Sequence, residues 1–408
     1  MSSGILHKIE EGSCNLVKTP VLQDETNIRV NIFIPTSLRF YGGGEKLLIL
    51  LSSRLNKIGF STTIFGDKEY SGIKRVDDLG KDKFGITYIE IGMVQNHGIG
   101  KILYHSFPSS ESLKNSKLNL IMIWRVPSLR QIKACTDSDS KCIFLLHGIG
   151  IDRFHLNNLL VILYQVYMRL QFFIKRPFLS NPNLYYQVIN DFQYRFFSKL
   201  SKSPKGVFFI RNALRSDSFT VGKNDKEFKV IFVGRTENLQ KGIKRLLKVA
   251  RILAVKRPSL KIEIIGSGTY SPKIRDTKNL SYLGFISDEL KLMALKDANL
   301  LVSTSNMDPS PAVIVEALLS GLPVVGTNVS GISDTLRMST LYGTVSSFAP
   351  RDISDCIIRN FDLWEADKDA YFSQKIERRN LALKDFSFEK MIDGYSDMLK
   401  KVSFGDSE

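Results

Sequence analysis

Two carboxylates stand eight residues apart, Asp308 and Glu316, on either side of Ser310-Pro311-Ala312-Val313. They lie in the stretch STSNMDPSPAVIVEALLSGLPVVGT, from Ser303 to Thr327, which follows the apolar run Leu300 to Val302. Ser310 has an N-cap side chain and Pro311 suits a first helical position. The predicted helix, Pro311 to Ser320, stops at Gly321, and Pro323 forbids its resumption before a buried strand to Thr327. A helix start of this kind can hold an anion, because its first amides lack carbonyl partners and the dipole favours negative charge. An ordinary βαβ unit with Glu316 turned to water fits the same residues equally well.

The other residues with chemical potential also follow strands. Gly234-Arg235 ends the run Lys229 to Val233, and Lys241-Gly242 opens a helix reaching about Val255. Gly266-Ser-Gly268 ends Leu260 to Ile265, and Gly284 ends Leu280 to Leu283. A helix, Asp288 to Lys296, precedes the strand that leads to Asp308. Candidates gathered at one edge of a parallel sheet are what a nucleotide-binding crevice produces. Near the start, the strand Asn27 to Ile34 ends at Pro35, and Gly42-Gly43-Gly44-Glu45 precedes a helix, Leu47 to Ile58, stopped by Gly59. A glycine loop there lets backbone amides approach an anion. It has neither the P-loop spacing nor the dinucleotide pattern, and a tight turn would use the same glycines. His147-Gly148 ends the apolar run Cys142 to Leu146. That is a ligand-collecting edge, although a lone histidine also serves as a structural hydrogen-bonding residue. Asp137-Ser-Asp139 sits in a polar loop without a flanking strand and reads as a turn rather than a metal site.

The elements that must position these residues alternate strand and helix, which implies parallel sheets covered on both faces. Ser61 to Phe65, Ile86 to Ile91, Leu118 to Trp124 and Val207 to Ile210 are further strands, while Asp67 to Lys83 is polar and takes no clear form. The chain has 408 residues, 43% hydrophobic and 24% charged. That is enough for two domains with separate cores, and residues 215–227 read as their linker. A last helix spaces Phe388, Met391, Ile392, Tyr395, Met398, Leu399 and Val402 on one apolar face, which needs something to pack on.

The net charge of +16 implies an anionic partner: nucleic acid, a membrane surface or a phosphorylated substrate. The nucleic-acid reading lacks a motif to carry it. The four cysteines are scattered without metal-ligand spacing, which favours a reducing compartment. Met1 to Val30 is polar throughout and does not read as a signal peptide. Residues 157–186 hold a dense apolar and aromatic run, Leu159 to Ile174, followed by Lys175-Arg176, with no acid between Asp152 and Asp191. A buried core helix is the leading reading; the second is an element lying on an anionic membrane surface. Arg169 in mid-run argues against a transmembrane helix.

Taken in order, Gly43-Gly44-Glu45, Gly234-Arg235, Lys241-Gly242, Gly266-x-Gly268, Gly284 and Asp308-x7-Glu316-Ala317-x3-Gly321-x-Pro323 resemble the retaining nucleotide-sugar glycosyltransferases called group 1. The match spans roughly residues 27–402 and is dense in 229–327. The resemblance implies an α/β GT-B fold: two Rossmann-like domains with parallel sheets facing across a cleft. The first domain would be 1–214, completed by a helix at 386–408 that crosses back to it, and the second 215–385. It implies a nucleotide-sugar donor, a glycan or lipid-linked acceptor, and no metal or other cofactor. Catalysis would fall to Asp308, Arg235, Lys241 and His147. Arg235 and Lys241 would hold the donor diphosphate with the amides of Pro311 to Ile314. Glu316 would take the ribose hydroxyls, Asp308 the transferred sugar, and His147 would face that sugar. Gly43, Gly44, Gly234, Gly268, Gly284, Ser310, Pro311, Ala312 and Val313 would complete the donor site.

Two departures matter. The family's first acid is usually Glu, and Asp308 is shorter by one methylene, which bears on donor-sugar identity. Arg235 and Lys241 are separated by five residues where four is common. The resemblance implies retention by same-face displacement; the basic charge and the 157–186 run suggest a lipid-linked or membrane-proximal acceptor, for a cytoplasmic protein working at the inner face of a membrane. A sugar-nucleotide epimerase of the same fold and a non-catalytic sugar-nucleotide-binding protein are the competing readings.

Overall fold

The computed structural model describes residues 28–35, 43–67, 86–91, 93–95, 106–153, 155, 158–201, 206–237 and 239–405. In chain order the first strands are β1 (Ile28–Phe33), β2 (Phe60–Asp67), β3 (Thr87–Ile91), the short pair β4 (Val94–Gln95) and β5 (Ser106–Phe107), β6 (Leu118–Met122), β7 (Lys141–Leu145), β8 (Leu184–Val188) and β9 (Val207–Phe209). All but β4 and β5 form one parallel sheet, ordered β3-β2-β1-β6-β7-β8-β9. Its helices are α1 (Gly43–Lys57), α2 (Ser110–Lys114), α3 (Leu129–Thr136), α4 (Leu159–Leu179) and α5 (Asp191–Leu200).

The second sheet contains β10 (Lys229–Val233), β11 (Lys261–Ile265), β12 (Leu280–Gly284), β13 (Leu300–Ser303), β14 (Val324–Thr327) and β15 (Gly343–Ser346). It is also parallel, ordered β12-β11-β10-β13-β14-β15. Around it lie α6 (Ile243–Lys256), α7 (Ser271–Arg275), α8 (Asp288–Asp297), α9 (Ala312–Leu319), α10 (Ser330–Leu336), α11 (Pro350–Ala366) and α12 (Lys368–Asp385). In each sheet the strand order reverses once, between β1 and β6 and between β10 and β13. Open sheets of this kind bind ligands at the carboxyl ends of those strands.

The chain's last helix, α13 (Phe388–Phe404), returns to the first sheet, as expected. Its apolar stripe joins the cluster built by Val30 and Ile32 of β1 and Leu48, Leu51 and Leu55 of α1. Each such side chain buried contributes about 1.5–3 kcal/mol. Lys141 Nζ donates to the Val402 carbonyl at 2.6 Å, satisfying a group left open at the helix end.

Three local expectations need correction. Gly43 and Gly44 open α1 in helical conformation and are not part of a loop; Gly42 and the loop from residue 36 lie outside the described residues. The run 157–186 is not one buried helix. Its first part is α4, only one face of which is buried, and its end is the buried strand β8. The period-3.6 and period-2 signals merge because both segments are almost wholly apolar. Lastly, Ser310 does not cap α9. The N-cap is Pro311, in extended conformation with no side-chain cap, while Ser310 Oγ accepts from Asn212 Nδ2 at 3.4 Å. Asp137 caps α3 and Asp139 adopts φ 53°, so that segment is a turn, as read.

Candidate active site

The reversal point of the second sheet places the ends of β10 and β13 side by side, and their loops are strapped together. Thr304 Oγ1 donates to the Lys241 carbonyl at 3.0 Å, Asn306 N to the Gln240 carbonyl at 2.7 Å, and Asn306 Nδ2 to the Leu239 carbonyl at 3.2 Å. Gly242 must be glycine for this approach. Its φ is 64°, and a Cβ would lie 2.1 Å from the Thr304 carbonyl oxygen. The turns after β10, β11 and β12 close on one another in the same way. Gly234 N donates to Ile265 O at 2.9 Å and Gly266 N to Gly284 O at 2.7 Å. A Cβ on Gly266 would meet the Gly234 carbonyl oxygen at 1.9 Å.

This strapping brings Lys241 and Asp308 together. Lys241 Nζ lies 2.6 Å from Asp308 Oδ2, with the two side chains 17% and 6% exposed. The lysine stem runs beside Gly234, where a Cβ would stand 3.5 Å from Lys241 Cε. Arg235 is not drawn into the pair: its guanidinium is exposed and donates to Gln240 Oε1 in its own loop. As at any helix start, the amides of Ala312 and Val313 have no carbonyl one turn earlier to bond. Glu316, one turn on, does not simply face water. Its side chain is 14% exposed, and Oε1 lies 2.7 Å from Lys291 Nζ on α8. Lys291 escaped the sequence reading because Asp288-Glu-Leu-Lys291 looks like an ordinary helix-surface i,i+3 pairing. That Asp288 contact exists too, but at 3.6 Å.

Across the cleft, His147 follows β7 and is held from two elements. Nε2 lies 2.8 Å from Gln187 Oε1 and 3.1 Å from the Tyr395 hydroxyl of α13. Gln187 Nε2 donates to the Val188 and Ile210 carbonyls at 3.1 and 2.9 Å. This leaves its Oε1 as the acceptor, so His147 Nε2 carries the proton. Burial pushes the imidazole pKa down to about 4, against the opposing pull of Gln187. His147 is therefore neutral at pH 7, and its buried Nδ1 has no hydrogen-bond partner among the described residues. A polar residue at the end of the apolar strand LYYQV was the available signal for Gln187.

The two walls touch. Asn190 Nδ2 donates to the Pro309 carbonyl at 2.8 Å. The Asp152 carboxylate accepts from Ser330 N at 2.9 Å, and Arg153 pairs with Asp334 at 2.8 Å. These contacts set the first-domain loops beside the Asp308 to Val313 turn. None of the four polar residues on the first-domain side (Asn190, Asn212, Asp152, Arg153) stands in a motif, so sequence reasoning passed over them.

Comparison with known proteins accounts for this arrangement. Residues 215–375 match the family model of the glycosyl transferases group 1. Over this segment the chain is similar to the group 1 glycosyltransferases. An uncharacterized glycosyltransferase of Methanocaldococcus jannaschii is 28% identical over 167 residues, which are 37% of this chain and 42% of the relative. The chain thus spans less than half the length of that relative. A glycosyltransferase from Rickettsia africae superposes with a TM-score of 0.67 at 14% identity, covering 93% of this chain and 100% of that one. Anabaena HepE, solved in complex with UDP and glucose, gives a TM-score of 0.66 at 13% identity, covering 92% and 100%. These likenesses show the GT-B fold. Within the group 1 match fall Gly234, Arg235, Lys241, Gly268, Gly284, Asp308, Ser310 to Val313 and Glu316; Gly43, Gly44 and His147 lie outside it.

Proposed function

We propose that the protein transfers a glycosyl residue from a nucleotide-sugar to an acceptor hydroxyl, with retention at the anomeric carbon. The Lys241–Asp308 pair at the reversal point, beside the open amides of α9, is the observation that carries this reading. Lys241 and the Ala312 and Val313 amides offer positive charge to a diphosphate, and Arg235 reaches it by releasing Gln240. Glu316, oriented by Lys291, accepts two vicinal ribose hydroxyls. A phosphate that takes Lys241 frees Asp308 to accept from the sugar's hydroxyls. Neutral His147 offers Nδ1 to another. The protein's own cations meet the donor's charge, so the reading assigns no metal.

In the reaction the bond from the anomeric carbon to the leaving phosphate oxygen breaks as the acceptor oxygen bonds on the same face. The acceptor's proton passes to that phosphate oxygen. The protein positions the reactants and stabilises the growing phosphate charge. A glycan or lipid-linked acceptor suits a basic protein, and a cytoplasmic site would supply the donor.

The test incubates the purified full chain with a panel of UDP-, GDP- and ADP-sugars, with and without glycan and lipid-extract acceptors, and follows nucleotide release and products. Acceptor-dependent release with a new α-linked product from an α-linked donor is expected. A changed sugar nucleotide without acceptor would indicate an epimerase. Tight donor binding without turnover would indicate a binding protein, and either outcome overturns the proposal.

A further inference from the structure

Helix α4 buries one face and leaves the other in solvent, apolar from Leu159 to Ile174 with Arg176 exposed near its end. Val161, Gln165, Met168 and Phe172 are buried, whereas Leu159, Leu163, Val166, Leu170 and Phe173 are 48–72% exposed. Ile174 and Phe178 continue the exposed stripe. The spacing of three and four residues keeps these side chains in one line, about 28 Å from Leu159 to Phe178. Single exposed leucines are ordinary, but a contiguous apolar stripe of this length on a surface helix marks a docking face.

Charge identifies the occupant. No acid stands between Asp152 and Asp191. The helices packed beside α4, α3 and α5, expose Arg130, Lys133, Arg195 and Lys199. The one acid among these three helices, Asp191, has its charge offset by Arg211 at 3.6 Å. We infer that the exposed face of α4 lies on a bilayer surface containing anionic lipid, its apolar stripe among the acyl chains and its basic rim on the headgroups. A second copy of the chain fits less well, because a two-fold contact would set this rim of like charge against itself. The helix lies on the bilayer rather than crossing it: among the described residues no helix is long and apolar enough to span a membrane.

The hidden face of α4 ties this surface to the cleft. Gln165 donates to the Gly150 carbonyl at 2.5 Å and accepts from Asp152 N at 2.9 Å. Asp152 in turn accepts from Ser330 of the second domain. A docked α4 therefore holds the cleft mouth at the bilayer, within reach of an acceptor in it. The docking itself does not depend on the transfer reaction.

Flotation of the full chain tests this, with vesicles of phosphatidylcholine alone and with phosphatidylglycerol added. Binding to the anionic vesicles is expected, falling as salt is raised. The variant Leu163→Gln/Leu170→Gln/Phe173→Gln changes only exposed residues and should keep its circular dichroism spectrum while binding about a hundredfold more weakly. Arg130→Gln/Lys133→Gln should weaken binding about tenfold. The inference is overturned if the wild-type chain does not float, if it binds both vesicle types alike, or if the triple variant floats equally well. It is also overturned if the wild type is a dimer that the triple variant dissolves without any vesicle binding.

Discussion

The two domains share one strand order, yet they equip their ligand edges differently. The second domain uses charge: Lys241 with Asp308, and Lys291 with Glu316, each pair joining different elements and half-buried or more. The first domain ends its strand β7 in a neutral group, His147 held by Gln187 and Tyr395, while asparagines and the charged Asp152 and Arg153 reach across to the facing loops. A paired charge at a reversal point is ready for a charged ligand, because the ligand can replace one partner without leaving a bare ion. A neutral imidazole with one free lone pair is ready for a hydroxyl. The scaffold alone therefore does not determine the chemistry; the polar residues at each strand end do.

Removing a charge from the second domain should do the most damage. Lys241→Ala deprives the donor diphosphate of a cation and leaves Asp308 uncompensated. A fall in kcat/KM of about a thousandfold is expected, some 4 kcal/mol. Steady-state kinetics on the donor identified by the panel would check it, and a loss below tenfold would break the contrast between the domains.

The first domain should instead betray itself through pH. The His147 pKa falls from 6.5 in the unfolded chain to about 4 in the folded one. The unfolded state then binds more protons between those values. The histidine's contribution is complete above pH 6.5 and is lost as the pH falls toward 4. At pH 5 the loss is about 2 kcal/mol. Thermal melts of the wild type and His147→Asn at pH 7 and pH 5 should show the wild type losing more, and parallel shifts would contradict a buried neutral imidazole.

Lys291→Ala should sharpen the roles within the second domain. Glu316 loses its partner and its orientation, which should raise donor KM about tenfold and leave kcat within a few-fold. An equal fall in kcat would place Lys291 nearer the reacting atoms. The smallest effect belongs to Tyr395→Phe, which deletes one of two groups at His147 Nε2. It should cost about 1 kcal/mol in stability and a few-fold in turnover, with donor affinity unchanged in a nucleotide titration.

Much of the second domain was legible in the sequence, because its strands are short apolar runs that end in glycines. Gly234, Gly266 and Gly284 mark those ends, Gly242 opens α6, and their positive φ values explain why glycine is there. The pairings of the candidate site were not legible. Lys241 and Asp308 are 67 residues apart, and Lys291 and Glu316 are 25 apart. Only the folded loops bring each pair together. The first domain was harder. Its α4 and β8 are both nearly all apolar, so no period separates them, and the two were absorbed into one run. The exposure of half of α4 could not be read at all, since a core helix and a surface-docking helix share the same residues. Ser310 misled for a related reason: it has the side chain of a cap, but Asn212 from the other domain engages it.

Helix α13 has one more consequence. The core of the first domain contains residues from before and after the second domain in the chain, Val30 and Ile32 together with Tyr395, Met398 and Leu399. The second domain is a continuous segment and can close as soon as it leaves the ribosome. The first cannot, because one of its walls is synthesised after the second domain. During synthesis the earlier-made half must therefore wait, with part of its apolar face open, for the later-made half to finish. The fold makes the donor side of the cleft independent and the His147 side dependent on it in time.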